Sequence, residues 1–384
     1  MHADREDGER AADPLDRPGL EPEGAADPQL QALPAPNSRL SPFSCGFFLL
    51  SLCTLCASAV ILTAGCRARA ALREVVVYCS LDEPYARPIL EEYQRRSGVR
   101  VVPLFDTEAT KSVGLAQRIR AERARPRADV FWSSEAVRLI QLKLDGILAP
   151  YVSPSAAGIP APFRDPGGEW TGFAARARVI VYNTQRVKQP PRSILDVARP
   201  EWRGEVALSD PRAGSAATEA ASLFGVLGPP RAEAFYRDLK QLGARIVDGN
   251  SVAAEWTARG ETEIGLTDTD DAYTRRDQGL PLGIVFVDHA GIGTLLIPNT
   301  AALVKGAPHP EEARRFLDHL LSVDTELALS RLPSRQIPLH AEARGRMPPE
   351  VERLAALKRR PVDYEDLARR MPEVDRFLRE SFQP

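Results

Sequence analysis

The sequence predicts an α/β fold with a mainly parallel sheet, on three observations. Short β-branched runs alternate with segments of helical spacing, the order that right-handed crossovers turn into a parallel sheet. The runs are apolar throughout, as in strands buried on both faces. The 384 residues, 43% of them hydrophobic, are enough to cover such a sheet.

Glu74-Val75-Val76-Val77-Tyr78-Cys79 reads as the first strand. A helix over Pro84 to Arg96 follows, with Ile89, Leu90 and Tyr93 on one face and Gly98 closing it. Val99 to Phe105 is the second strand, and a helix spans about Thr110 to Arg125. Asp129-Val130-Phe131-Trp132 is the third strand, before a helix from Glu135 to Leu144 that Asp145-Gly146 stops. Further strands are expected at Arg178–Asn183, Gly204–Leu208, Glu263–Thr267, Gly283–Val287 and Thr294–Ile297. Helices are expected at Thr218–Leu227, Pro230–Leu242, Val252–Arg259 and Pro310–Leu321, the last with Ala313, Phe316, Leu317 and Leu320 at helical spacing. The charged tail from Ala341 to Pro384 carries amphipathic patches at Leu354–Leu357 and at Val374, Phe377 and Leu378, and predicts helices packed on the outside.

The N-terminus is of a different kind. Residues 1–42 are rich in Pro, Ala, Asp and Glu without apolar periodicity and read as a disordered leader. Phe43 to Gly65 contains no charge and suits an export signal or a short membrane anchor. It ends Leu62-Thr63-Ala64-Gly65-Cys66, which resembles a lipobox and makes Cys66 the candidate lipidation site. Nine acidic residues in the leader, and Arg67, Arg69 and Arg73 after the run, depart from a simple lipoprotein signal. The expectation is an extracytoplasmic body held at a membrane by lipid on Cys66 or by the uncleaved apolar segment 43–66.

Composition excludes several functions. With 50 basic and 52 acidic residues, no cationic field is available for nucleic acid. Of the five cysteines only Cys79 lies beyond the apolar run, so neither a disulfide framework nor a Cys-rich metal site is built in the body. There is no glycine loop of the dinucleotide or P-loop type.

Several strings together carry a resemblance: Val77-Tyr78-Cys79-Ser80, Ala128 to Ser133, Ala175 to Asn183, Pro200 to Val206, Ile264 to Thr269, and His309 to Ser322. In their order and spacing the chain, from about Val75 to Leu339, resembles the iron(III)-type extracellular solute-binding proteins of ABC importers. The resemblance implies two α/β lobes, each a mixed, mainly parallel sheet flanked by helices, with ligand in the cleft between them. Lobe one would combine residues 73–176 with 288–340 and lobe two residues 177–287, leaving 341–384 as a C-terminal helical extension. It also implies an ABC permease as partner, a monomer, and no cofactor other than bound ferric iron or another hard cation as ligand.

The chain departs from the iron-binding pattern of adjacent tyrosines, where it reads Thr269-Asp270-Asp271-Ala272-Tyr273. Asp82, Glu83, Asp270 and Asp271 could converge as an all-oxygen site for a hard cation, with Asp270, Asp271 and Glu83 as the metal set. Equally, Asp270 and Asp271 could take the hydroxyls or ammonium of an organic ligand, or Asp268 and Asp270 could cap the next helix. Tyr85 and Tyr273 remain as phenols. Gly214, Ser215 and Thr218, at a strand-to-helix turn, suit an anion at a helix N-terminus, with a plain N-cap as the alternative for Ser215. Thr107, Thr110, Lys111 and Ser112 form a second loop cluster, and Ser133, Ser134 and Glu135 a third. Arg176 reaches either an anionic ligand or a salt bridge at the crossover. His309, His319 and His340 lack metal-ligand spacing, and only His289 is placed near the cleft.

The leading functional expectation is a binding protein that captures ferric iron with an anion. Its alternative is an organic phosphate or phosphonate ligand. Readings of another class are a carboxylate-dependent hydrolase and a membrane-anchored sensor; neighbouring Asp270 and Asp271 are poorly arranged as an acid–base pair.

Overall fold

A computed structural model describes residues 73–106, 112–287 and 291–382. The leader, the apolar segment with Cys66, the loop residues Thr107, Thr110 and Lys111, and His289 lie outside the described residues. Among the described residues no helix is long and apolar enough to cross a membrane.

The first three strands follow the apolar runs closely: β1 (Glu74–Cys79), β2 (Arg100–Phe105) and β3 (Val130–Ser133). They are parallel, with β1 between β2 and β3. The crossovers are α1 (Glu83–Ser97) and α2 (Val113–Ala121). Gly98, in the left-handed conformation at φ +68°, ends α1. After α3 (Val137–Leu144) a short β4 (Leu148–Ala149) leads toward β5 (Thr171–Asn183), which is much longer than its apolar core suggests.

The length of β5 organises the molecule. Its N-terminal half pairs antiparallel with β10 (Leu296–Val304), which joins it to β3 and the first sheet. Its C-terminal half pairs with β8 (Ile264–Asp268) and β9 (Leu282–Val285) of a second sheet. There β6 (Val206–Ser209) runs parallel to β8 and to β7 (Arg245–Val247). The strand order is β2-β1-β3-β10-β5-β8-β6-β7. One continuous strand thus holds two sheets in register with each other.

Helices α4 (Gly214–Leu227), α5 (Pro229–Gln241), α6 (Asn250–Arg259) and α7 (Thr269–Asp277) surround the second sheet, and α8 (Pro310–Leu320) and α9 (Val323–Arg331) the first. Helix α9 and strand β7 were not expected, and α7 was expected only as the helix that Asp268 and Asp270 could cap, without bounds, because a short polar segment such as Thr269–Asp277 carries no apolar periodicity.

The tail forms helices packed on other helices, in keeping with the expectation of a C-terminal helical extension. After α10 (Pro349–Ala355), α11 (Tyr364–Ser381) buries Leu367, Met371, Val374 and Leu378. It is tied to α3 by the Arg138–Asp375 ion pair at 2.9 Å. Two residues further on it meets α4 through Phe377 and Phe224, ring centroids 5.7 Å apart. The tail therefore leans on helices of both sheets. Cys79 is buried in β1, and burial pushes its thiol up.

The Phe316 side chain of α8 is fully buried and meets Tyr93 of α1 edge-on at 5.1 Å. Phe316→Ala is expected to destabilise the chain by about 3–5 kcal/mol, read as a lowered denaturation midpoint in guanidinium.

Candidate binding site

Two arginines on β5, Arg176 and Arg178, are two residues apart and so face the same side of the strand. Arg176 Nε donates to Asp268 Oδ2 at 2.7 Å and lies 3.7 Å from Asp270 Oδ2. Arg178 donates to Asp268 Oδ1 at 3.0 Å, to Glu219 Oε2 at 2.9 Å and to Asn250 Oδ1 at 2.9 Å. The Ser215 hydroxyl donates to Asp268 Oδ2 at 2.6 Å and accepts from Asn250 Nδ2 at 2.8 Å. Arg178 and Asp268 are each 1% exposed.

Charges so buried persist only by compensation. Burial pushes the Asp268 carboxyl up, but Arg176, Arg178 and the Ser215 hydrogen bond outweigh it and leave its pKa below the ordinary aspartate value. Burial likewise works against Arg176 and Arg178, and the carboxylates of Asp268, Asp270 and Glu219 override it and hold both above the usual arginine value.

This network bears on three expectations. Asp268 stands at the N-cap position of α7 but makes no side-chain cap hydrogen bond; its oxygens serve the arginines instead. Ser215 is not the N-cap of α4 either, a position held by Ala213, and Gly214 opens the helix at φ +55°. Arg176 makes the crossover salt bridge.

A second junction is made by Glu135. Its carboxylate accepts from the amides of Val137 and Arg138 at 2.6 and 2.9 Å and from the Thr218 hydroxyl of α4 at 2.9 Å. It therefore joins α3 to α4, and burial raises its pKa. The carbonyl of Ser134 accepts from Arg176, and its amide donates to Ser80 Oγ at 2.8 Å.

The third junction is Tyr85, whose hydroxyl lies 3.0 Å from Thr274 Oγ1 of α7. Burial, with repulsion from Asp270, Asp271 and Asp82, pushes its phenol to about 12. Of these carboxylates Asp270 lies 3.7 Å from Arg176 Nε.

Other expected site residues are engaged elsewhere. Glu83 is exposed and its carboxylate accepts from Arg87 Nε at 2.7 Å. Among the described residues no three His, Cys, Asp or Glu side chains group closely enough to hold a metal ion. The trio Asp270, Asp271 and Glu83 is accordingly not assembled, Glu83 being turned to its own helix. Tyr273 lies between two guanidiniums, with Arg276 at 4.4 Å and Arg335 at 4.9 Å from its ring centroid. His309 bonds Asp129, and His340 bonds Glu326.

Arg178, Glu219 and Asn250 were missed. The signal for Arg178 was present: two arginines at alternate positions of an apolar strand demand buried partners. Glu219 and Asn250 lie on separate helices and carry no such mark.

The model of the bacterial extracellular solute-binding protein family matches residues 126–363. The chain is 26% identical over 283 residues to the major ferric iron-binding protein of Neisseria meningitidis, covering 71% of this chain and 83% of that one. Iron-bound HitA from Pseudomonas aeruginosa superposes with a TM-score of 0.71 at 24% identity, over 81% of this chain and 100% of that one. AfuA from Actinobacillus pleuropneumoniae, solved with fructose-6-phosphate bound, also gives a TM-score of 0.71, at 23% identity, over 80% of this chain and 97% of that one. These are two-lobed binding-protein structures, and the two sheets joined by β5 share their fold.

Replacing Asp268 with Asn would leave two buried guanidiniums short of charge, and is expected to cost about 3–5 kcal/mol, read as a lowered melting temperature. Because the folded pKa of Asp268 is depressed, its contribution is fully present above the ordinary aspartate value of about 4 and is lost as pH falls below it. The gap between wild type and Asp268→Asn is therefore expected to close in acid, and melts taken from pH 7 to pH 3 check it.

Proposed function

The chain belongs to the bacterial extracellular solute-binding protein family, and we propose that it captures ferric iron, together with an anion, in the cleft between its two lobes. It hands this cargo to an ABC permease, acts as a monomer, and turns nothing over. The body works outside the cytoplasm, anchored by lipid on Cys66 or by the apolar segment that precedes it.

The observation that carries this reading is the half-buried Tyr85, a phenol whose hydroxyl lies 3.0 Å from Thr274 Oγ1 of α7 and which feels the negative charges of Asp270, Asp271 and Asp82. Hard anionic oxygens suit a hard trivalent cation. A bound cation reverses the repulsion that keeps the Tyr85 proton on, so metal capture and phenol ionisation are coupled. Asp270 and Asp271 stand in the first turn of α7, the helix whose Thr274 meets the Tyr85 hydroxyl, and close on the ion as the lobes adjust. The anion is placed at the start of α4, where Gly214, Ser215 and the first-turn amides meet the positive end of the helix. Ser134, Glu135 and Thr218 complete that rim, and Thr110 and Lys111, outside the described residues, are further candidates for it by residue type. Support also comes from the iron-binding relative in Neisseria meningitidis.

The second reading, an organic phosphate or phosphonate, is favoured by the same α4 terminus and by the sugar phosphate held in AfuA. In that case Asp270 and Asp271 bind ligand hydroxyls.

The full-length chain, incubated with ferric citrate and desalted, is expected to retain stoichiometric iron by elemental mass spectrometry. Asp270→Asn with Asp271→Asn should weaken retention by about tenfold or more, and Tyr85→Phe should remove any visible phenolate–iron band. A chain that retains no iron but carries a phosphorylated compound in native mass spectrometry would decide for the second reading.

A further inference from the structure

A second cavity, of about 310 Å³, is formed by the 160–163 turn, the start of β10 and the segment that leads into α11. Its walls include Pro162, Phe163, Leu296, Val362 and Tyr364, and none of the residues bonded to Asp268 lines it. The Tyr364 hydroxyl is spent on the Leu296 carbonyl at 2.9 Å, so this residue offers the cavity its ring. The Phe163 ring lies 5.9 Å from that of Tyr364. The lining is therefore largely apolar and aromatic, and the volume falls at the lower end of small-molecule sites, about 300–1,000 Å³.

Two cations interrupt it. Arg360 is anchored, donating to the Gly293 carbonyl at 3.2 Å and to Ser222 Oγ at 3.0 Å. Arg359 is half-buried and makes a single long hydrogen bond, 3.4 Å, to the Ala355 carbonyl. Arg344 already occupies that carbonyl at 2.8 Å. Among the described residues no carboxylate pairs with Arg359; Glu352 approaches Arg344, at 3.8 Å. Burial, with the like charge of Arg344, pulls the Arg359 guanidinium below its ordinary value. A half-buried guanidinium without a counter-charge, on the wall of an apolar cavity, lacks only an anion.

The structure assigns this cavity to a small amphipathic anion, a carboxylate carried on a compact aromatic body. The carboxylate pairs with Arg359, and the ring lies against Phe163, Leu296 and Tyr364. The planar fork of the guanidinium matches a carboxylate in two parallel hydrogen bonds. The site is separate from the iron site proposed above and does not depend on it.

Fluorine NMR of para-trifluoromethylbenzoate with the iron-free, full-length chain tests the assignment. Saturable line broadening is expected, with the neutral para-trifluoromethylbenzamide weaker by about tenfold or more. Arg359→Gln should weaken the benzoate by a similar factor, Arg359→Lys, which keeps the charge but loses the fork, should weaken it less than Arg359→Gln, and Val362→Trp, which fills the cavity, should abolish it. Three results would overturn the assignment: no broadening at millimolar benzoate, equal binding of the amide, or unchanged binding in both Arg359→Gln and Val362→Trp.

Discussion

The structure depends on the ionic network that Asp268 makes with Arg176 and Arg178. Two guanidiniums and an aspartate are buried where β5 passes from one sheet to the other, and none of them tolerates the loss of its partners. Buried ion pairs of this kind add little net stability compared with an apolar core of the same shape. What they supply here is direction. Arg178 also holds Glu219 of α4 and Asn250 of α6, and Arg176 also faces Asp270 of α7. The ends of three helices are thereby aimed at one stretch of β5.

The aim of those helices sets the chemistry available. Helix α7, which follows β8, places Thr274 3.0 Å from the Tyr85 hydroxyl, and Ser215 in the first turn of α4 donates to Asp268 at 2.6 Å. Further links cross the same junction, from Glu135 to Thr218 and from Arg138 to the carbonyl of Arg212 at 2.8 Å. Helix α11 adds a brace behind them, ion-paired to α3 and packed on Phe224 of α4.

The fold was legible where periodicity was strong. Continuous apolar runs such as Val75–Tyr78 were read as strands because only burial on both faces suits them, and α8 was read from Phe316, Leu317 and Leu320. Helix α7 was legible only as the helix that Asp268 and Asp270 could cap, since Thr269–Asp277 is nearly all polar and its extent carries no apolar periodicity. The site was legible by residue type but not by partner. Asp268 and Ser215 looked like caps, their commonest local role, and became ligands of distant arginines once β5 brought those arginines beside them. Glu83 looked like a cation ligand by its neighbours in sequence, yet one helical turn places Arg87 within reach of it.

By itself the sequence determined the class of fold, the separate character of the N-terminal segment, and the exclusion of disulfide and nucleic-acid chemistry. These follow from local spacing and composition, which need no knowledge of distant contacts. Only the tertiary structure decided which carboxylates neutralise Arg176 and Arg178. It also decided that, among the described residues, no carboxylate pairs with Arg359. Charge compensation in a buried place is set by three-dimensional distance, because the energy of an ion pair depends on separation and surrounding dielectric and not on position along the chain.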